Sequence, residues 1–386
     1  MEYFDHNATS PLIPAARDAM HEAQENAWHN PASPYRAGAR VHALLEQARE
    51  DLAAYLGCPP ELIIFTSGAT EANNAFLAYL SQAHPHGSLA LSAVEHPCVL
   101  EPAKAFFPGR HHLFPVDARG VLKLGALREV LARGDLAGVA LMAANNETGV
   151  LQPWQKASEL CRARGVLLHV DAAQWLGKLP ARGLGACDAV TGCAHKFGGP
   201  RGVGFLKIPA ACRGFRGQLR GGQENGHRGG TVDYPAVAGM LAALKAREEA
   251  IAEGRQLTAQ GRDHFTRLLH SMIDGVRVVG EEANRLWNTI SLVMPEGENT
   301  RWVGKLDKRG FAVSTGSACA TAKEGPSHVL AAQGYGPEEA RRTVRVSGGW
   351  ETTMEQWEAL AEAFADTWAE LRSNRQGDSP ATVIHV

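Results

Sequence analysis

Three short stretches hold residue types that together could run one chemistry. Lys196 lies in TGCAHKFGGPRGVG (191–204), between an apolar run and a Gly-Gly-Pro turn. A lysine in a tight, glycine-flanked, partly buried place has a lowered pKa and can form a Schiff base with an aldehyde. Read alone, it is a surface lysine like most others. Asp171 ends the apolar run VLLHV, 25 residues before Lys196. One helix and one strand fit in that interval, so both side chains can project into one crevice at the strand ends. Taken alone, Asp171 reads as the cap of the next helix. TSGATE (66–71) is an apolar run, a small-residue turn and a helix start. It reads equally as a phosphate cradle on free N–H groups or as a plain turn capped by Ser67. A lysine for an aldehyde, a carboxylate for a ring nitrogen and a cradle for a phosphate together point to pyridoxal 5'-phosphate.

These groups need strands and helices to place them. Residues 41–56 have helical apolar spacing, and Gly57 with Pro59–Pro60 ends that helix. Short apolar runs at 89–93, 137–143 and 166–170 alternate with helical stretches. That alternation predicts an α/β fold with a mostly parallel sheet covered on both faces. Residues 211–233 are rich in Gly and Arg, which marks a flexible or a functional loop. Helical patterning returns over 235–270, with a domain change near 255–265. Strands are expected at 276–280, 288–293 and 343–347. The helix 353–372 carries Met354, Trp357, Leu360, Phe364, Trp368 and Leu371 on one stripe, and 373–386 reads as a tail.

Composition narrows the function classes. With 39 Lys+Arg against 41 Asp+Glu, the 386-residue chain has a net charge of −2. It lacks the basic surface that nucleic acid or an anionic membrane needs, so neither is an expected partner. There is no 18-residue apolar run and no signal-peptide pattern, so a soluble cytoplasmic protein is expected. The seven cysteines are odd in number, scattered and without a CxxC, which argues against a disulfide framework or a zinc site.

In order along the chain stand FDHNATSP (4–11), HNPASPYRAG (29–38), FTSGATEAN (65–73), EHPCVL (95–100), NNETG (145–149), HVDAAQ (169–174), AHKFGGPRGVG (194–204), STGSACATAKEGPSHVL (314–330) and VRVSGG (344–349). This series resembles the cysteine desulfurases of the class V aminotransferase superfamily, fold-type I, almost end to end. The resemblance implies a large cofactor-binding domain over 15–260 with a seven-stranded sheet. It also implies a smaller α+β domain made of 1–14 and 261–386.

It further implies a role for each matching residue. Lys196 holds the cofactor and moves protons, Asp171 pairs with its ring nitrogen, and Gln174 contacts the ring hydroxyl. His96 stacks on the ring and serves in acid–base steps. Thr70, the Ala69 backbone and His195 hold the phosphate. Cys193 stands where many relatives have a serine, which predicts weaker cofactor retention, because a thiol is a poor replacement for a hydroxyl. Thr231 reaches the phosphate of the second subunit, which implies an obligate homodimer. Arg345 grips the carboxylate of L-cysteine, with Asn146 and Asn30 near the substrate and cofactor. Trp350, where relatives often carry a polar residue, is expected on the substrate-side wall. Cys319 is the nucleophile on a long loop; it takes the sulfur as a persulfide, releases alanine and passes the sulfur to an acceptor protein in iron–sulfur cluster assembly or in tRNA or cofactor thiolation. A selenocysteine or cystine lyase, a class V aminotransferase and a docking protein on the same fold are the competing readings.

Overall fold

The computed structural model describes residues 1–377 apart from Arg213, 255–258 and 317–326, with side chains described up to Ser373. The strands are β1 (Glu2–Tyr3), β2 (Ile63–Thr66), β3 (Ser88–Ser92), β4 (His111–Phe114), β5 (Leu136–Met142) and β6 (Leu168–Asp171). They continue with β7 (Ala189–Cys193), β8 (Gly204–Lys207), β9 (Arg277–Val278), β10 (Thr289–Val293), β11 (Phe311–Ala312) and β12 (Thr343–Ser347). The helices are α1 (Pro14–Asn26), α2 (Arg36–Leu56), α3 (Ala69–Ala83), α4 (Pro97–Phe106), α5 (Leu124–Leu131) and α6 (Trp154–Arg162). After them come α7 (Tyr234–Ala252), α8 (Gln260–Met272), α9 (Asn299–Lys308), α10 (His328–Ala332), α11 (Pro337–Arg341) and α12 (Met354–Gly377).

Seven strands form the large sheet in the order β2-β8-β7-β6-β5-β3-β4. β8 runs antiparallel to both of its neighbours, and the remaining pairs are parallel. Successive side chains of a strand point to opposite faces. Val139 and Leu141 of β5 therefore enter one core, with Leu45 and Leu52 of α2, Trp154 of α6 and Val237 of α7. Ala140 enters the other core, with Phe76 of α3 and Val99 of α4. Apolar residues on both faces explain why the runs read as continuous rather than alternating. Helix α2 stops where expected: Gly57 has φ 79°, a left-handed cap whose N–H donates to the Ala53 carbonyl.

A second core surrounds the three-stranded antiparallel sheet β12-β10-β9. It joins Phe4 to Phe265, Trp302, Trp357, Leu360 and Phe364. β1 pairs with β11, and the Phe4 carbonyl accepts from the Ser347 N–H, so the N-terminus is fixed here before the chain crosses to the large sheet at Asn7.

The helical patterning over 235–270 is carried by two helices, α7 and α8. Two expectations change. The expected strand 276–280 pairs only at Arg277–Val278. Helix α12 continues to Gly377, five residues into the expected tail, because adding a turn to an existing helix needs no apolar stripe. On its stripe, Met354 faces solvent while Trp357, Leu360 and Phe364 are buried.

The glycine-rich stretch is held from inside. Glu224 is buried and accepts from both terminal nitrogens of Arg49 at 2.8 Å and from the Phe65 N–H at 2.7 Å. Arg228 pairs with Glu71 in the first turn of α3. This stretch is thus tied to β2 and to the start of α3, a restraint that composition alone did not reveal.

Candidate active site

A cavity of about 960 Å³ opens at the C-terminal ends of the parallel strands. Asp171 ends β6, Cys193 ends β7, and Asn146 follows β5. Ligands bind at such strand ends because the loops there converge and the backbone is not yet capped. Thr70, Ala69, His96, Asn146, Asp171, Gln174, Cys193, His195, Lys196 and Arg345, all chosen from the sequence, line this one cavity.

Lys196 sits in the short turn after β7. Its Nζ donates to the carbonyls of Asn7 and Ala8, each at 2.7 Å. Asp171 does not cap a helix with its full carboxylate. Oδ1 accepts the Ala173 N–H at 2.9 Å, while Oδ2 accepts Asn73 Nδ2 at 2.9 Å and has the Cys98 thiol at 3.8 Å. Asn73 is oriented in turn by Thr191, whose hydroxyl donates to its Oδ1 at 2.7 Å. A carboxylate fixed by such donors stays in one place and offers negative charge to a cationic ring nitrogen.

His96 ends the loop before α4. Its Nδ1 accepts the Cys98 N–H at 3.1 Å and lies 2.9 Å from the Cys98 thiol. An acceptor at Nδ1 puts the proton of a neutral ring on Nε2. Burial holds the His96 pKa down, with Asp171 opposing and Lys196 assisting. Burial, then Lys196 and Arg201, lower His195 to about 4.

The turn before α3 fits a phosphate. The Ser67 hydroxyl does not cap the helix; the Ser67 N–H donates to Glu71 Oε2 at 2.7 Å, and Gly68 takes the cap position with φ 151°. The close approach of this turn to the sheet requires glycine at 204, where a Cβ would lie 2.7 Å from the Gly68 Cα. Burial pushes the Cys193 thiol up to about 11, with the nearby Lys196 and the Ala69 N–H opposing. Cys193 therefore stands at the cradle as an un-ionised, weak partner. A lysine, a fixed carboxylate and this helix start, placed around one cavity, match the aldehyde, ring nitrogen and phosphate of pyridoxal phosphate.

At the other end, Arg345 enters from β12. Its guanidinium donates to Asp5 Oδ1 at 2.6 Å, to the Asn146 carbonyl at 3.1 Å and to the Gly316 carbonyl at 3.0 Å. Glu147 accepts from the Ser327 hydroxyl at 2.6 Å, and burial raises its pKa. Gly316 and Ser327 are the described residues on either side of 317–326, so Cys319 lies outside the described residues.

Not every expected residue reaches the cavity. Asn30 is exposed and uses its side-chain oxygen to accept the Ala32 N–H at 2.9 Å. Thr231 is exposed and does not line the cavity of its own chain. Trp350 is not among the residues that line the cavity; it donates to the Gly177 carbonyl at 3.1 Å, and the Arg247 guanidinium stacks 3.8 Å from its ring centroid. The sequence reading also passed over residues that matter here. Asn7, Asn73, Cys98 and Lys178 support the chosen groups, and Glu95 is fully buried beside His96. Asn7, Asn73, Cys98 and Glu95 stand inside the quoted motifs, but nothing in a linear pattern shows which side chains turn toward Asp171 or Lys196.

The chain matches the Aminotransferase class-V family over residues 2–360. It belongs to the class-V aminotransferase family. Among curated relatives, the cysteine desulfurase IscS of Dictyoglomus turgidum is 36% identical over 365 residues, covering 92% of this chain and 91% of that protein. Among solved structures, a NifS-like protein superposes with a TM-score of 0.86 at 29% identity, covering 96% of this chain and 99% of the other. A structure of SspA in complex with cysteine gives a TM-score of 0.78 at 27% identity, over 90% of this chain and 98% of that one. The family assignment accounts for the α/β architecture and for the strand-end cavity. No helix among the described residues is long and apolar enough to cross a membrane.

Proposed function

We propose that this class-V chain is a pyridoxal-phosphate-dependent cysteine desulfurase, which takes sulfur from L-cysteine and leaves L-alanine. The reading rests on one observation above all: Lys196, Asp171 and Arg345 converge on a single cavity in a chain 36% identical to a cysteine desulfurase across 92% of its length. When bound, pyridoxal phosphate supplies an electron-withdrawing ring that stabilises negative charge on a substrate carbon.

The residues of the chain do the rest. Lys196 holds the aldehyde and moves protons from its Nζ. Asp171, fixed by Asn73 and Ala173, keeps a protonated ring nitrogen paired. With the cofactor bound, Gln174 would contact the ring hydroxyl and His96 would stack on the ring; both line the cavity. Ala69, Thr70 and His195 hold the phosphate. Arg345 takes the substrate carboxylate in competition with Asp5, while Asn146 anchors the guanidinium through its carbonyl. The Cys319 thiolate attacks the sulfur of cysteine: an S–S bond forms, the Cβ–S bond breaks, and the carbon keeps the electron pair and gains a proton, giving alanine. Thiolate character controls the rate of such an attack.

Thr231 is exposed on its own chain and free of its cavity, which fits a homodimer in which it completes the partner's site. A thiolate of a sulfur-acceptor protein in the cytoplasm then takes the outer sulfur: a new S–S bond forms, the bond to the Cys319 sulfur breaks, and Cys319 leaves as a thiolate. The test is alanine and sulfide release from L-cysteine with a thiol reductant, for the wild type and Cys319→Ala. The variant should keep its cofactor colour and lose sulfide release. Full activity in the variant removes the persulfide step and moves a lyase of another substrate to the front.

A further inference from the structure

A second lysine lies behind the first. Lys178 is 1% exposed, and among the described residues no carboxylate pairs with it. Burial, then the charges of Lys196 and Arg345, hold its pKa well below the usual lysine range. A buried amine next to two cations is costly. Its position therefore needs a reason other than stability.

The reason lies in its two partners. Lys178 Nζ donates to Gln174 Oε1 and, at 3.2 Å, to Asn7 Oδ1. The other end of the Gln174 amide, Nε2, donates to the Asn7 carbonyl at 2.9 Å. The same carbonyl accepts from Lys196 Nζ at 2.7 Å. A backbone carbonyl can only accept, so turning the Gln174 amide over would set oxygen against the Asn7 carbonyl, a repulsive contact whatever the protonation state of Lys178. It would also remove the acceptor that the Lys178 N–H groups use, so the amide has one orientation. Its oxygen is spent on Lys178, and its second Nε2 hydrogen is the group left for the cavity that Gln174 lines.

We propose that Lys178 is a positioning residue, which locks the Gln174 carboxamide so that it presents only a hydrogen-bond donor to a ring oxygen of the bound cofactor. This rests on the reading that the cavity takes pyridoxal phosphate with its ring hydroxyl toward Gln174. Lys178 also holds the side chain of Asn7, whose carbonyl carries both Gln174 and Lys196. Asn7 is also held by Ser347, Asn146 and Thr289, so removing Lys178 frees chiefly the oxygen end of the amide.

The test uses the apoenzyme and two ligands without an aldehyde, pyridoxine 5'-phosphate and its 3-deoxy analogue, with binding measured by calorimetry. Wild type should bind the hydroxylated ligand about tenfold more tightly, the value of one hydrogen bond to a polar, partly ionised oxygen. Lys178→Met should lose most of that preference and bind the 3-deoxy analogue as wild type does. Lys178→Met combined with Gln174→Ala should be no worse than Gln174→Ala alone, since the two act as a unit. Lys178→Gln is one bond shorter but keeps an N–H donor aimed the same way, and should retain part of the preference. Equal weakening of both ligands in Lys178→Met overturns the proposal, as does an unchanged preference. Loss of the preference in a folded Lys178→Gln overturns it too. If wild type binds neither ligand, the cofactor reading itself fails. If wild type binds both alike, the cofactor reading stands and the Gln174 contact fails.

Discussion

Replacing Glu95 by glutamine should change how stability depends on pH. Glu95 is fully buried; its Oε1 accepts the Met142 N–H at 2.7 Å, and its Oε2 has no hydrogen-bond partner. Burial first, and then the charge of Asp171, push its carboxyl from 4.5 up to about 8. The folded chain therefore keeps this proton where the unfolded chain has released it. The stability that Glu95 contributes is complete below 4.5 and drains away as pH rises through about 8. Each pH unit in that interval is worth at most ~1.4 kcal/mol, so the upper bound is roughly 4–5 kcal/mol, and rearrangement on ionisation will bring it nearer ~3 kcal/mol. Glutamine keeps an oxygen for the Met142 N–H and does not titrate. Urea unfolding of the apoenzyme at pH 5, 6.5 and 8, at one protein concentration, gives the comparison. Glu95→Gln and wild type should be close at pH 5, and the variant should gain by about 1 kcal/mol per unit toward pH 8. Titrating histidines such as His6 and His169, both lowered to about 4, act on both proteins and cancel in the difference. Parallel stability curves would refute the assignment of a buried, protonated Glu95.

Cys193→Ser should retain pyridoxal phosphate about fivefold more tightly, because a hydroxyl replaces a weak thiol partner beside the Ala69 N–H; equilibrium dialysis measures it, and an unchanged affinity would contradict the cradle described here. Glu224→Gln should destabilise the fold by about 3 kcal/mol in chemical unfolding, since it leaves Arg49 buried without its main partner. Adding Arg49→Met to that variant should recover part of the loss, and a double variant worse than the single one would show that the pair is not the source.

The large sheet, and the residues gathered around its strand-end cavity, were legible in the linear pattern. Runs such as LALSA and AGVALMA put apolar residues on both alternations, with Ser92 the one hydroxyl, and a short strand covered on both faces buries them so; β3 and β5 are found there. TVRVS forms β12 over the same residues. Lys196 and Asp171 were legible because local rules place them: each follows an apolar strand, and strand ends in a parallel sheet share one edge. The three-way convergence with Arg345 was legible through resemblance alone, since β12 lies in a different sheet.

Tertiary structure decided what lies behind those residues. Asn73 is 98 residues from Asp171, and Asn7 is 171 residues from Lys178, yet each pair is hydrogen-bonded. No helical or strand period links such positions, because their contacts are set by how separate elements pack. The same limit explains Trp350 and the glycine-rich stretch. Whether Trp350 faces substrate or Arg247, and whether Glu224 meets solvent or Arg49, depends on partners distant in the chain. Local spacing fixes which face of an element is apolar; which polar groups meet inside is fixed only when the faces close.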